Sequence, residues 1–318
     1  MENKIPNLIE KEFNAKVLEI KRISEGYSHY MYLVKIDKEP FEIIIRFSNN
    51  SKADVNLGKE KFIIEKLREN SIPAPRIYAF NEEYLILERI KGIRLDTIWD
   101  SLTKQEKIQI TKEIGKLLSK IHNITFERFG RIESGGKIES DEAFKFRDMG
   151  EKTKYNLFLR EWLIDHLKDF ARLVSYQHVS KDFMNKIFAY LMKNLNKLEY
   201  SGEPVLIHGD FMTGHLFVEK KDNEHKIVGI IDFEFAQSYA PEYDFIKLHR
   251  QGFFDDLEIK QALKEGYGEI NEAALEIHRI MRDLGFAWAM LEAGNKKLSD
   301  EKLRELEEKI DRLNEKSI

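Results

Sequence analysis

The texture of the chain changes once, near Lys91-Gly92, and this change restricts the fold more than any other feature. Before it, short runs at 17–23, 30–36, 41–47 and 84–87 are rich in aromatic and β-branched residues and are separated by turn residues, the pattern of a small antiparallel sheet. One helical stretch interrupts them: 57–70 carries Phe62, Ile63, Ile64 and Leu67 on one face and stops at Ser71-Ile72-Pro73-Ala74-Pro75. After the change, charged amphipathic segments at 103–122, 151–172, 180–198, 256–267 and 271–294 predict a mainly helical region. Only 205–218 and 227–233 break that pattern with strand-like apolar runs. The expectation is an α+β chain of two lobes, a small sheet with one main helix followed by a larger helical part.

Composition limits what such a chain does. With 318 residues, 42% of them hydrophobic, it can bury a substantial core as one large domain or two lobes. The longest apolar runs, 41–45 and 228–231, are far short of the roughly 20 residues that span a bilayer, so no membrane span is expected. The first residues lack the apolar stretch of a signal peptide, which points to a cytoplasmic location. Without cysteine there are no disulfides, thiolate metal sites or cysteine nucleophiles, and any metal must be held by oxygen or imidazole. A net charge of −4 offers no basic footprint for nucleic acid. The acidic excess gathers after residue 250, where 299–316 reads as a solvated terminal helix. Both a monomer and a homodimer fit the sequence.

The two strand-like interruptions carry the chemistry. His208-Gly209-Asp210 follows the apolar run Val205-Leu206-Ile207, His215 comes five residues after the aspartate, and Asp232 closes a second apolar run in Ile231-Asp232-Phe233. Phosphoryl transfer asks for cations on the phosphates, a metal ion between them, and a carboxylate that orients the attacking hydroxyl and accepts its proton. Asp210, in a turn after a rigid strand, suits the catalytic base. Asp232, an isolated carboxylate at a strand end, suits a hard cation such as Mg²⁺.

Taken together, these residues resemble the signature of the aminoglycoside phosphotransferase and choline kinase-like family, which has the protein-kinase fold: H-G-D, four residues, an asparagine, then I-D-F or I-D-W. The resemblance covers His208 to Phe233 and implies the same roles for Asp210 and Asp232. His215 stands where most members have the asparagine that helps bind metal; imidazole is a softer donor than an amide oxygen. Histidine at this position resembles the 2″-aminoglycoside and macrolide phosphotransferases. The resemblance further implies a phosphate-covering loop at Ser24-Glu25-Gly26-Tyr27-Ser28-His29, with Ser24, Gly26 and Ser28 at the nucleotide, and a phosphate clamp at Arg46. Glu60 matches the glutamate that pairs with that cation, with Glu65 as the competing choice. The hinge falls at about 88–92, with Glu88 and Ile90 beside the base of ATP or GTP, so that 1–90 forms the nucleotide lobe and 93–318 the helical lobe. Asp244 matches a structural aspartate, read as a helix N-cap.

The acceptor is less sharply written. Asp255, Asp256 and Glu258, joined by Glu234 and Glu265, form an acidic set that would concentrate a polycation such as an aminoglycoside. Tyr239, Phe286 and Trp288 offer an apolar alternative for a macrolide, although such residues belong more often to a core. His122 reads as a helix-end histidine. The expected activity is transfer of a γ-phosphoryl group to a hydroxyl of a small cationic molecule, an aminoglycoside first. A macrolide kinase, an amino-alcohol kinase and a catalytically dead nucleotide-binding module remain as alternatives.

Overall fold

The computed structural model describes residues 1–23, 29–48, 56–139, 172–173, 179–198, 200, 202–222 and 224–315. Two compact units divide the chain, one made of Met1–Glu139 with Pro204–Glu269 and the other of Ser140–Glu203 with Ile270–Ile318.

The first unit begins with helix α1 (Ile5–Phe13), opened by Pro6 in its first turn and ended by Asn14 in a left-handed conformation. Strands β1 (Val17–Ile23), β2 (His29–Ile36) and β3 (Glu42–Ser48) follow, then helix α2 (Leu57–Glu69) and strands β4 (Ile77–Phe80) and β5 (Tyr84–Glu88). They form one antiparallel sheet in the order β1-β2-β3-β5-β4. Alternation along β3 sends Ile43, Ile45 and Phe47 into a core shared with Ile5, Leu8 and Ile9 of α1. Truncating a buried isoleucine of this kind to alanine costs about 2–5 kcal/mol, so β3 is a firm platform for what its other face carries. Arg46 lies in this central strand, paired in register with Met31 and Leu85.

Two features of this sheet depart from the sequence expectation. Helix α1 was not anticipated; its signal is the Ile5, Leu8, Ile9 spacing behind a proline. Strand β4 was also missed, being four residues long and only half buried just after Pro75.

Beyond Lys91 the unit continues with β6 (Ile93–Arg94), α3 (Leu95–Ile98), α4 (Lys104–His122), β7 (Gly130–Ile132) and β8 (Ile138–Glu139). After Pro204 come β9 (Val205–Ile207), β10 (Leu216–Lys221), β11 (Glu224–Ile230) and β12 (Gln237–Tyr239). Strands β11-β10-β6 form one small sheet and β8-β7-β12-β9 another. Helix α4 starts with a capping box in which Thr103 and Glu106 satisfy each other's amides. A backbone hydrogen bond from Thr103, followed by Lys220 and then the Thr103 hydroxyl, holds the Glu106 carboxyl down at about 2.

In the other unit the described helices are α5 (Lys181–Asn194), α8 (Glu272–Glu292) and α9 (Lys296–Glu315). The helix expected at 299–316 is thus present, but it is not wholly solvated: Leu303, Leu306 and Ile310 are buried, and Ser299 Oγ donates to the Ala287 carbonyl of α8 at 2.8 Å. Residues 151–171 of the expected 151–172 helix lie outside the described residues. Among the described residues, no helix is long and apolar enough to cross a membrane.

Two further helices of the first unit, α6 (Phe245–Arg250) and α7 (Leu257–Tyr267), complete the surroundings of the strand ends. Helices α4 and α7 cross closely because both contact points are glycine: a Cβ on Gly115 would lie 2.4 Å from the Leu263 carbonyl oxygen, and one on Gly266 only 2.1 Å from that of Lys112. This crossing sets His122, at the end of α4, against Tyr267.

Candidate active site

Strand β9 is buried along its whole length and pairs with β12, so the chain leaving it at His208 starts from a fixed point. The His208 amide donates to Asp244 Oδ2 at 2.7 Å and the Gly209 amide to Asp244 Oδ1 at 2.8 Å. One buried carboxylate therefore holds two successive amides, a charge-assisted arrangement stronger than neutral hydrogen bonds. His122 Nε2 lies 3.1 Å from the same Oδ2, and its Nδ1 lies 2.9 Å from the Tyr267 hydroxyl. His122 is accordingly a satisfied helix-end histidine. Asp244 stands at the N-cap position of α6, but its side chain makes no capping hydrogen bond. Its structural role is to clamp the loop after β9, which corrects the sequence reading. Gly209 has φ +77°, and a Cβ there would fall 2.2 Å from the Phe235 carbonyl oxygen, so no other residue fits.

His208 ties this loop to the second strand end. Its Nε2 donates to the Ile231 carbonyl at 3.0 Å while its Nδ1 accepts the Asp210 amide at 3.3 Å, a set that requires the neutral ring. Burial drives its pKa down, in keeping with that state. Phe211 and Phe233, both buried, flank the ring. His215 stacks on it with ring centroids 5.4 Å apart.

Asp232 adopts φ +74°, a left-handed conformation that costs a non-glycine residue about 1–3 kcal/mol and survives where the surroundings impose it. The surroundings here are specific. Arg46 Nη2 lies 3.1 Å from Asp232 Oδ1, and His215 Nε2 lies 3.4 Å from Oδ2. Burial pushes the Asp232 carboxyl up, but Arg46 and then His215 outweigh it, and the net direction is down. His215 Nδ1 sits 3.0 Å from the Asp210 carbonyl, to which it must donate. Its Nε2 then faces Asp232, so one imidazole links the loop that carries Asp210 to the second strand end.

Arg46 also pairs through Nη1 with Glu60, in the first turn of α2. Glu65 is engaged elsewhere, with Lys61 at 2.7 Å, so the structure selects Glu60 over it. Burial works against the Arg46 charge, yet Glu60 and Asp232 together raise its pKa and keep it charged; burial likewise pushes the Glu60 carboxyl up, against the pull of Arg46. Arg46 Nε and Glu60 Oε2 are buried with no hydrogen-bond partner in the described protein. A free guanidinium N–H beside two carboxylates suits a phosphate oxygen. Next to Glu60, Lys59 donates to the Glu234 carbonyl at 2.8 Å, and burial lowers its pKa to about 8.

Asp210 is mostly buried and forms an ion pair through Oδ1 with Lys247 of α6. Sequence reasoning missed Lys247; its only signal is a spacing of three residues from Asp244 on a helix.

The remaining expected residues are placed as follows. Ser24, Gly26 and Ser28 lie outside the described residues. Glu88, at the end of β5, turns its carboxylate back to accept the Arg76 amide at 3.0 Å, and Ile90 packs over Gly229. Asp256 caps α7, accepting from Glu258 and Ile259 amides, and pairs with Lys104. Glu258 reaches the same lysine at 3.4 Å, and Glu265 pairs with Lys112 at 2.9 Å. These three carboxylates are thus neutralised by α4 rather than brought to Asp210. Asp255 is exposed, and Glu234 is half-buried two residues after Asp232. Tyr239 and Trp288 are core residues. Among the described residues no group of three or more His, Asp or Glu side chains gathers as a metal site, and the expected pair, Asp232 and His215, lies with its nearest atoms 3.4 Å apart.

The model of the phosphotransferase enzyme family matches residues 19–305. The chain belongs to that family. It is a phosphotransferase acting on a hydroxyl group of a small molecule. Solved structures share the fold: the GDP complex of wild-type aminoglycoside 2'-phosphotransferase-IIIa has a TM-score of 0.69 at 14% identity, covering 98% of this chain and 99% of that one. The gentamicin complex of APH(2")-IIa gives 0.64 at 17%, covering 96% of each chain. A thermostable APH(4)-Ia mutant bound to AMP-PNP and hygromycin B gives 0.61 at 16%, covering 96% of this phosphotransferase and 98% of that chain.

Proposed function

We propose that this phosphotransferase moves the γ-phosphoryl group of ATP or GTP to a hydroxyl of an antibiotic, with an aminoglycoside as the leading acceptor. The observation that carries the reading is the convergence of Asp210, His215, Asp232, Arg46 and Glu60 within one compact unit. Asp210 orients the acceptor hydroxyl and takes its proton. Arg46, held by Glu60 and carrying a buried Nε without a hydrogen-bond partner, would supply the positive charge for the phosphates. Asp232 would supply the carboxylate that Mg²⁺ takes, with phosphate oxygens and water completing the shell, and His215 would add a softer nitrogen donor beside it. The bound ion would neutralise charge on those phosphates. In this reading 1–90 is the nucleotide lobe, 88–92 the hinge along which Glu88 and Ile90 meet the base, and 93–318 the helical lobe. A cytoplasmic location supplies both nucleotides.

Support for the aminoglycoside comes from His215 and from fold neighbours solved with gentamicin and hygromycin B. The exposed Asp255 is an acidic residue of the expected set that would meet its ammonium groups. One observation favours a second reading: with Asp256, Glu258 and Glu265 neutralised by lysines, the surface offers less negative charge than a polycation prefers, which suits a macrolide or an amino alcohol. Incubation of aminoglycosides, macrolides and amino alcohols with Mg·ATP and Mg·GTP, read by product mass, decides the matter. Gain of one phosphoryl group on an aminoglycoside supports the first reading. Tight nucleotide binding without consumption on any acceptor would sink it in favour of a dead module.

A further inference from the structure

Helix α6 with its flanking residues is two turns long, and three of its polar residues fall at 244, 247 and 251. That spacing of three and then four puts them on one face. Each engages a successive part of the loop after β9. Asp244 holds the amides of His208 and Gly209, Lys247 pairs with the side chain of Asp210, and Gln251 accepts the Thr213 amide at 3.2 Å while donating to the Thr213 hydroxyl at 2.8 Å. The contacts run in the same order along helix and loop. Asp244 and Gln251 fix backbone on both sides of Asp210, which leaves Lys247 to fix the side chain itself. Both partners are shielded, Asp210 being 14% exposed and Lys247 31%, so the pair is far less screened than a surface ion pair.

We propose that Lys247 is the positioning residue for the catalytic base: by engaging Oδ1 of Asp210 it holds the carboxylate in one orientation and leaves Oδ2 to receive the acceptor's proton. The inference rests on the assignment of Asp210 as base. In the step it serves, the acceptor O–H proton passes to Asp210, the acceptor oxygen bonds the γ-phosphorus, and the bond to the nucleoside diphosphate breaks, with its electron pair leaving on the diphosphate. Lys247 keeps its protons throughout and acts only through Asp210.

The test measures turnover of Mg·ATP and Mg·GTP with water, kanamycin, a macrolide and an amino alcohol as acceptors, and nucleotide affinity by calorimetry, for wild type, Lys247→Met, Lys247→Arg, Asp210→Asn and the Met/Asn double variant. Lys247→Met is expected to lower kcat about 10- to 100-fold, the scale of a misplaced catalytic group, with nucleotide Kd within about twofold. Lys247→Arg, which keeps the cation, should recover most of the loss. In the Asp210→Asn background Lys247→Met should add no more than about twofold, because its effect passes through a carboxylate already removed. Wild-type kcat in Lys247→Met, a parallel fall in nucleotide affinity, or losses that multiply in the double variant would each overturn the proposal. Loss of turnover in Asp210→Asn with full activity in Lys247→Met refutes the role of Lys247 alone. Full activity in Asp210→Asn, or a wild type that consumes neither nucleotide with water, kanamycin, a macrolide or an amino alcohol, removes the base assignment and this proposal with it.

Discussion

Asp244→Asn probes the foundation of the site with no change in side-chain size. In the wild type, Oδ2 meets the His208 amide and His122 Nε2, and Oδ1 meets the Gly209 amide. An asparagine keeps most by placing its carbonyl where two donors meet, which leaves its NH₂ facing the Gly209 N–H. One charge-assisted hydrogen bond is lost, about 1.5–3 kcal/mol, and a buried N–H is left unpaired. The other two contacts weaken from charge-assisted to neutral, about 1 kcal/mol each. Relief from burying a carboxylate that is 1% exposed returns part of this, giving a net loss of about 2–4 kcal/mol. The assay is urea unfolding followed by fluorescence, with turnover measured beside it. The expected result is a lower midpoint at unchanged slope, together with a kcat reduced about tenfold or more, since the loop that aims Asp210 has lost an anchor. A midpoint and kcat both equal to wild type would refute the clamp.

Arg46→Lys should raise nucleotide KM about tenfold while leaving the fold intact, because one ammonium cannot serve Glu60, Asp232 and a phosphate together; steady-state kinetics with Mg·ATP and Mg·GTP check it. Gly209→Ala should abolish turnover and lower the melting temperature by several degrees, since its Cβ would enter the Phe235 carbonyl; a fully active variant would show that the loop has another conformation. Lys59 has its pKa lowered from 10.5 to about 8, so between these values the unfolded chain binds more protons and the contribution of this residue to stability rises with pH. The stability difference between wild type and Lys59→Met, read from urea midpoints at pH 7 to 10.5, should therefore shift in favour of wild type as pH rises, and a pH-independent difference would contradict the burial of Lys59.

The periodic signals carried well into three dimensions where they were long or strongly patterned. The sheet runs of the first ninety residues, the α2 helix and the described helices near 103–122, 180–198, 256–267 and 271–294 appear, because period-2 and period-3.6 apolar patterns have one economical way to bury. The short strands β6, β7, β8 and β12 were not expected, being too brief for alternation to register. Helix α1 and strand β4 were less legible: one is short and close to the terminus, the other too brief for alternation to register. At the proposed site, Asp210, His215 and Asp232 stood out in the sequence because they lie next to apolar strands in one short stretch. Glu60 and Glu65 could not be separated by composition, and only the direction of α2 chose between them.

What the sequence determined by itself was the inventory: an α+β chain with two strand-end aspartates, a histidine between them, and a cation in the third strand. Only the tertiary structure decided how these are held. It turned Asp244 from a presumed cap into a clamp on two amides, paired Asp210 with a lysine 37 residues further along, and used Asp256, Glu258 and Glu265 on the lysines of α4. Local sequence cannot announce such pairings, because an ion pair depends on which faces two distant elements present, and those faces are set by the packing of the whole unit.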